Sequence, residues 1–223
     1  MAKTEVFKSA GVTVDVVLFT IESEMLHALF IKRTNNPYKG LWAFPGGFMQ
    51  ERETAEGAAA RILKEKAGVK DIYIEQLYTF TDLRRDPRGR VISITHFALV
   101  PKERIMFTGS DLQTPTLFPV HKISKLAFDH KEILAYSRER LRAKLEYTNI
   151  VYSLLKPRFT LTQLQQAYEI ILGKKLDKRN FRKKYFSLGL VRATKEYERG
   201  GRRRPARLYE FQDHELAQLK KFF

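Results

Sequence analysis

The chain of 223 residues contains no cysteine, which excludes disulfide-linked folds, thiol nucleophiles and cysteine-ligated zinc sites. It has no apolar run near the roughly 20 residues that a membrane-spanning helix needs, and its first residues form no apolar signal core. These absences predict a cytoplasmic protein that has no membrane partner. Hydrophobic residues still make up 43% of the chain, which is enough to bury a core.

Acidic residues are scarce, since 25 aspartates and glutamates stand against 41 lysines and arginines, for a net charge of +16. Residues 1–144 carry a net charge of +6, whereas residues 145–223, with 18 basic and 8 acidic side chains, carry +10. This excess favours a polyanionic partner, and its distribution predicts that the last third of the chain makes the main contact. A solvated basic surface is the plainer alternative.

The first two thirds of the chain alternate between strand-like and helix-like segments. Apolar and β-branched residues predict four strands, at 11–21, 27–34, 73–82 and 91–100. Two helices are expected, at 53–67 and 130–145. Gly68 should end the first helix and Asp129 should cap the second, next to a hydrogen-bonded His130. Residues 102–120 resemble a loop, and the whole of residues 1–145 is predicted to form an α/β domain.

Residues 146–223 are predicted to form a second, smaller domain. Three short helices are expected at 149–155, 162–172 and 178–188, followed by a hairpin of strands at 190–196 and 206–211. Three short helices followed by a β-hairpin is the order of a winged helix-turn-helix. In that motif the last helix enters the major groove of DNA.

The last of these helices and the hairpin tip carry most of the basic residues. Phe181 and Tyr185 recur at helical spacing and should pack inward, which leaves the basic side chains on another face. Arginine and lysine suit guanine edges, asparagine suits adenine, and arginine is favoured in a narrow minor groove. The candidate DNA-binding residues are Lys178, Arg179, Asn180, Arg182, Lys183, Arg199, Arg202, Arg203, Arg204 and Arg207.

Residues 47–69, GFMQERETAEGAAARILKEKAGV, resemble the Nudix box, G-x5-E-x7-R-E-U-x-E-E-x-G-U, in which U is aliphatic. The matching positions are Gly47, Glu53, Arg61, Leu63, Glu65, Gly68 and Val69. The resemblance implies a Nudix-type α/β/α sandwich followed by the winged helix-turn-helix domain. It also implies a cleft that binds a pyrophosphate-containing nucleotide.

The chain departs from the box at two of its three metal-binding positions. Nudix hydrolases hold Mg²⁺ or Mn²⁺ with carboxylates on one helix face, but Ile62 and Lys66 leave only Glu65 here. A hard divalent cation needs several oxygen ligands, so we expect no metal site, no cofactor and no catalytic residue. The alternative is an active Nudix hydrolase of ADP-ribose or another nucleoside diphosphate derivative.

Loss of catalysis need not remove the ligand, because glycines and basic residues of the cleft remain. The candidate ligand-binding residues are Arg33, Gly46, Gly47, Glu53, Arg61, Glu65, Lys66, Arg85 and Arg88. Lys66 could supply part of the positive charge that a metal ion would otherwise bring.

Nearly the whole chain is similar to the Nudix-related transcriptional regulators of NAD metabolism, the NrtR type. Further matching stretches are WAFPGG at 42–47, LAFDH at 126–130, FTLTQL at 159–164, RNFR at 179–182 and RRPARLY at 203–209. The resemblance implies a homodimeric repressor that binds a palindromic operator through its winged helix and is released by ADP-ribose or a related nucleotide. An RNA-binding Nudix relative is a third alternative.

Overall fold

The computed structural model describes residues 9–107, 115–198, 205–213 and 215–219. The first module contains β1 (Gly11–Glu22), β2 (Met25–Lys32), β3 (Trp42–Ala43), β4 (Gly46–Phe48), α1 (Ala55–Ala67), β5 (Tyr73–Phe80), β6 (Val91–Leu99), β7 (Thr116–Pro119) and α2 (His130–Tyr147). The second contains α3 (Leu161–Leu172), α4 (Lys178–Ser187), β8 (Val191–Tyr197) and β9 (Arg207–Phe211). Short 3₁₀ helices lie at Lys102–Arg104 and Ile150–Leu154.

A mixed sheet with the strand order β3-β2-β1-β6-β5 forms the centre of the first module, with β4 added to β1 and β7 to β2. Strands β1 and β6 run parallel, and both faces of β1 are covered. Val17 and Phe19 pack into the apolar cluster beside α2, whereas Val16 and Leu18 pack into the cluster beside α1. Successive residues of a strand point to opposite faces of the sheet, so the apolar side chains of β1 pack beside α1 on one face and beside α2 on the other. The predicted α/β/α sandwich is confirmed.

Local capping fixes both ends of α1 where the sequence predicts them. The Thr54 hydroxyl accepts a hydrogen bond from the Gly57 amide at 3.1 Å, which satisfies one free donor of the first turn. Gly68 ends the helix with φ at +63°, and a Cβ there would lie 2.6 Å from the carbonyl oxygen of Met106. Only glycine fits that position, both for its backbone conformation and for its close neighbour.

The second module has the predicted winged helix-turn-helix arrangement. Tyr168 of α3 contacts Phe181 and Tyr185 of α4, with ring centroids 5.4 and 5.9 Å apart. The hairpin of β8 and β9 joins this core through Phe159, which exchanges two backbone hydrogen bonds with Tyr209. The hydrogen bonds and the aromatic packing fix the hairpin beside the helices.

Helix α2 belongs to the cores of both modules. Leu141 and Leu145 are fully buried in the same apolar cluster as Val17 of the sheet and Leu164 of α3. The helix ends at Tyr147, after which the Asn149 side chain bonds to the backbone of Glu215 and Ala217. The predicted domain boundary after residue 145 stays a prediction.

The expected loop over residues 102–120 is wrong in part, because β7 pairs antiparallel with β2 through Phe30 opposite Thr116 and Ala28 opposite Phe118. Strand β7 has four residues and ends at Pro119, so its pairing with β2, rather than its local sequence, stabilises it. The apolar helix expected at 149–155 is a 3₁₀ helix instead. Among the described residues no helix is both long and apolar enough to cross a membrane.

Leu145→Ala should lower the free energy of unfolding by about 2–5 kcal/mol, because it leaves a cavity in the cluster that both modules share. Chemical denaturation can be followed by the fluorescence of Trp42, the one tryptophan of the chain, and by circular dichroism of the helices. Both signals should shift together. Lys131→Ala, on the exposed side of α2, is the control and should change stability by no more than about 0.5 kcal/mol. Separate transitions for the two signals would contradict a shared core.

Candidate functional site

A cavity of about 170 Å³ lies between the sheet, the turn after β5 and the start of α2. Its lining includes five of the nine candidate ligand residues, namely Arg33, Gly46, Gly47, Arg85 and Arg88. The fold therefore brings together residues that lie more than 50 positions apart in the sequence.

Arg85 forms the floor of this cavity. Its side chain is 4% exposed and donates to both carboxylate oxygens of Asp129, at 2.8 and 2.9 Å, and more weakly to Asp15 at 3.5 Å. Burial alone would lower the pKa of Arg85, but its bonds to Asp129 and the charge of Asp15 raise it. The guanidinium is thus held in place and already paired, rather than open to solvent.

The expected capping role of Asp129 is wrong, since its side chain makes no cap hydrogen bond to α2. The carboxylate pairs with Arg85 instead, because a buried guanidinium needs a charged partner more than an N-terminal amide does. The ion pair of Asp129 with Arg85 joins the residue before α2 to the turn between β5 and β6.

His130, the first residue of α2, is fully enclosed and hydrogen-bonded, as expected. Its Nδ1 accepts a hydrogen bond from the amide of Phe44 at 2.9 Å, so the ring proton belongs on Nε2, 3.7 Å from the carboxylate of Asp15. Burial lowers the pKa of His130, although Asp15 and Asp129 oppose that effect. The neutral imidazole therefore anchors the segment that leads to Gly46 and Gly47.

The open side of the cavity is cationic and aromatic. The guanidinium of Arg33 lies 4.6 Å from the ring centroid of Phe128, and that of Arg88 lies 5.8 Å from it. Arg88 is 46% exposed on its side chain and pairs with Asp86 at 2.7 Å. Burial, followed by the charge of Arg88, lowers the pKa of Arg33. Two arginines close enough to repel each other suit a site that receives an anion.

Gly46 allows the backbone of β4 to approach the charged cluster. A Cβ at this position would lie 2.1 Å from Oδ1 of Asp15, whereas a Cβ at Gly47 would meet nothing within 4 Å. The first glycine of the pair is therefore required by sterics, and the second leaves space at the cavity wall.

Three of the other candidate ligand residues, Glu53, Arg61 and Glu65, brace the loop and the first turns of α1. Arg61 donates to Glu53 at 2.6 Å, and Glu53 also accepts from the amide of Gln50 at 2.8 Å. The hydrogen bond from Arg61 lowers the pKa of Glu53. Glu65 is 53% exposed and lies 3.7 Å from Arg61. None of the three lines the cavity described above.

The residues of α1 do not fit a divalent cation. Ile62 is 2% exposed and packs among Ala58, Ala59 and Leu63 in the apolar cluster under the helix, and Lys66 is only partly buried. Within the ranges that the structure describes, no three histidine, aspartate or glutamate side chains could hold a metal ion together. Neither position 62 nor position 66 offers an oxygen ligand.

In the second module, α4 places its basic residues on one exposed face. Lys178, Arg179, Asn180 and Lys183 are exposed, whereas Phe181 and Tyr185 are buried. Asp177 caps the helix by accepting from the amide of Asn180 at 2.8 Å. Arg182 is half-buried, so its aliphatic part packs against the module.

The hairpin contributes one described candidate. Arg207 is exposed on β9, and its Nε donates to the carbonyl oxygen of Thr194 at 2.9 Å. Arg199, Arg202, Arg203 and Arg204 lie outside the described residues.

The structure adds Asp15, Phe128 and His130 to the cavity lining, and Asp129 pairs with the lining residue Arg85; none of these four was a candidate ligand residue. Phe128 adopts φ of +53°, which turns the chain just before α2. The LAFDH stretch at 126–130 was the one sequence signal for three of these residues. Asp15 has no local signal, because its role depends on partners 70 or more residues away.

Two family models match the chain. The NUDIX domain matches residues 10–137, and the NrtR DNA-binding winged helix domain matches residues 151–211. The chain is 37% identical over 218 residues to the ADPR responsive transcriptional repressor NtrR of Acinetobacter baylyi. This match covers 94% of the chain and 86% of the relative.

Solved structures agree with these matches. The crystal structure of Shewanella oneidensis NrtR complexed with a 27mer DNA aligns with a TM-score of 0.83 and 35% identity, over 90% of this chain and 93% of that one. The NUDIX domain of Shewanella oneidensis NrtR complexed with ADP ribose aligns with a TM-score of 0.56 and 37% identity. That match covers 60% of this chain and 90% of the other.

Ile62→Glu should lower the free energy of unfolding by about 3–5 kcal/mol, because it places an unpaired carboxylate inside an apolar cluster. Lys66→Glu, at a partly exposed position one turn later, should lower it by less than about 1 kcal/mol. Chemical denaturation with and without Mg²⁺ measures both effects. Stabilisation of the Ile62→Glu variant by Mg²⁺ would show that position 62 reaches a metal site after all.

The free energy of unfolding should fall as the pH drops from 7 to 5.5, by up to about 1.4 kcal/mol per pH unit from His130. The folded state holds this ring neutral, so the unfolded chain binds the proton first and gains stability as the pH falls through about 6.5. His130→Asn, which can still accept the bond from Phe44, should flatten the slope. Buried His96 contributes a residual slope of the same sign. An unchanged pH dependence of the free energy of unfolding in His130→Asn would show that His130 is not the group responsible.

Proposed function

Because the chain belongs to the NrtR-type family of Nudix-related regulators, we propose that it is a transcriptional repressor that binds duplex DNA and responds to ADP-ribose. The observation that carries the proposal is the 37% identity to an ADPR responsive repressor over 94% of the chain. The two exposed sites, one in each module, are consistent with two different anionic partners.

The DNA contact is made by the exposed face of α4 and by the hairpin. Lys178, Arg179 and Asn180 stand at the N-terminal end of the helix, the part that reaches base edges in this motif. Lys183 and Arg207 lie further along and suit phosphate contacts. Two subunits of a homodimer would present two such helices to half-sites about one DNA turn, roughly 34 Å, apart.

The effector binds in the cavity beside Arg33 and Arg88. Arginine favours phosphate through paired hydrogen bonds, and the ring of Phe128 adds an aromatic surface next to both. Arg85 is buried and paired, so its role is to hold Asp15 and Asp129 in place rather than to meet the ligand directly.

We further propose that the chain acts in the cytoplasm and does not hydrolyse its effector. Metal-assisted attack on a pyrophosphate needs a bound cation, and the burial of Ile62 together with the ammonium of Lys66 argues against one. The loop and helix braced by Arg61 and Glu53 then serve binding alone.

The test is a titration of duplex DNA from the gene neighbourhood of this protein, with and without ADP-ribose, at several salt concentrations. We expect sequence-specific binding that ADP-ribose weakens, because the ligand must favour the released state to shift the equilibrium. Binding that depends on salt alone and ignores sequence would contradict the proposal.

Two variants separate the two sites in the same assay. Arg179→Ala should weaken DNA binding about tenfold while leaving ADP-ribose binding unchanged, since it removes a groove contact. Arg88→Ala should leave DNA binding intact and raise the ADP-ribose concentration needed for release about tenfold. Lys125→Ala, an exposed lysine of the first module, is the charge-matched control.

A further inference from the structure

A second and larger cavity, of about 420 Å³, lies between the two modules. Its walls come from the turn between β1 and β2, the residues after β7, helix α2, and the end of α3 with the turn that follows it. This volume is within the usual range for small-molecule sites, roughly 300–1,000 Å³. It contains no residue of the Nudix box and none of the candidate DNA-binding residues.

The cavity has a cationic side formed by α2. Arg138 and Arg142 lie four residues apart, so their side chains emerge on the same face of the helix. Like charges at this spacing destabilise a helix unless an anion lies nearby. Among the described residues, Arg138 makes no hydrogen bond or ion pair, and Arg142 donates only its Nε, to the carbonyl oxygen of Ile171 at 3.0 Å. Both are partly buried.

Glu169, a carboxylate that lines the cavity, does not neutralise the charges of Arg138 and Arg142. Glu169 accepts three hydrogen bonds from its own module, from the side chains of Gln165 and Lys175 and from the amide of Leu176, each at 2.9 Å. Its charge is therefore already paired. Glu24, in the turn between β1 and β2, is exposed, and Glu169 together with Glu24 raises the pKa of Lys175.

The remaining walls combine apolar side chains with the polar residues His121, Gln166, Lys174 and Lys175. Leu26 and Val120 from the first module face the cavity together with Ile170 and Ile171 from α3. Small-molecule sites commonly combine apolar walls with a few charged groups that fix the orientation of the ligand. A guanidinium pair suits a phosphate group, because arginine donates two parallel hydrogen bonds to it.

We propose that the cavity between the modules binds a phosphate-bearing small molecule through Arg138 and Arg142, at a site separate from the ADP-ribose cavity. The ligand contacts α2, α3 and the sheet at the same time. Binding of this ligand therefore affects the orientation of α3, the helix that precedes α4, independently of ADP-ribose.

Calorimetric titration of the full chain with inorganic pyrophosphate, in phosphate-free buffer, tests the site. Once the protein is saturated with ADP-ribose, we expect one pyrophosphate-binding event, which Arg138→Gln weakens about tenfold. Arg138 makes no hydrogen bond or ion pair with the residues that the structure describes, so its replacement should not change the melting temperature. Lys131→Gln, on an exposed part of the same helix, is the control and should bind like the unmodified chain.

Arg142→Gln provides a second measurement, in which weaker pyrophosphate binding is accompanied by a small loss of stability because the bond to Ile171 disappears. Three results would overturn the proposal: unchanged binding in Arg138→Gln, no pyrophosphate binding to the chain saturated with ADP-ribose, or loss of binding in Arg179→Ala instead. The last would place the pyrophosphate on the DNA-binding face. The test does not require that the chain be a repressor, so the two proposals can fail independently.

Discussion

The buried contact of Arg85 with Asp129 and Asp15 is the interaction on which the functional geometry depends. It joins the turn after β5, the first strand of the sheet and the residue before α2. A buried guanidinium without its carboxylates would be strongly unfavourable, so all three segments must come together for any of them to be stable. The start of α2 is therefore fixed at the floor of the cavity proposed for the effector, and the helix extends from there into the core of the second module.

This arrangement links two sites by one rigid element. The N-terminal end of α2 contacts the segment that carries Gly46 through His130, and its C-terminal half packs Leu141 and Leu145 against α3. A ligand that alters the first end acts on a helix whose other end shares a core with the DNA-facing module. Coupling of this kind needs two states that the ligand binds with different affinity, and a packed helix between two modules can supply them.

The Nudix box keeps its structural contacts, although two of its three metal-binding positions hold Ile62 and Lys66. Thr54 and Gly68 still define the ends of α1, and the pair of Arg61 and Glu53 still holds the preceding loop. Position 62, by contrast, has become part of the apolar cluster under the helix. Backbone caps and packing depend on local geometry, whereas a hard cation needs several oxygen ligands at once, and Ile62 and Lys66 supply none.

The sequence was sufficient to predict the elements whose signals are local: helix α1 with its final Gly68, the strands β5 and β6, and the order of helices and wing in the second module. It also determined the asymmetric charge and the family resemblance, because motif spacing and composition need no knowledge of distant contacts. The assembled fold was needed to show that residues 116–119 form a strand, that the Asp129 side chain pairs with Arg85 instead of capping α2, and that Ile62 is buried in the core. It also decided which arginines are buried and which are open to a ligand. Each of these outcomes depends on a partner far along the chain, and the burial of a charge or of a strand edge is a property of the assembled fold.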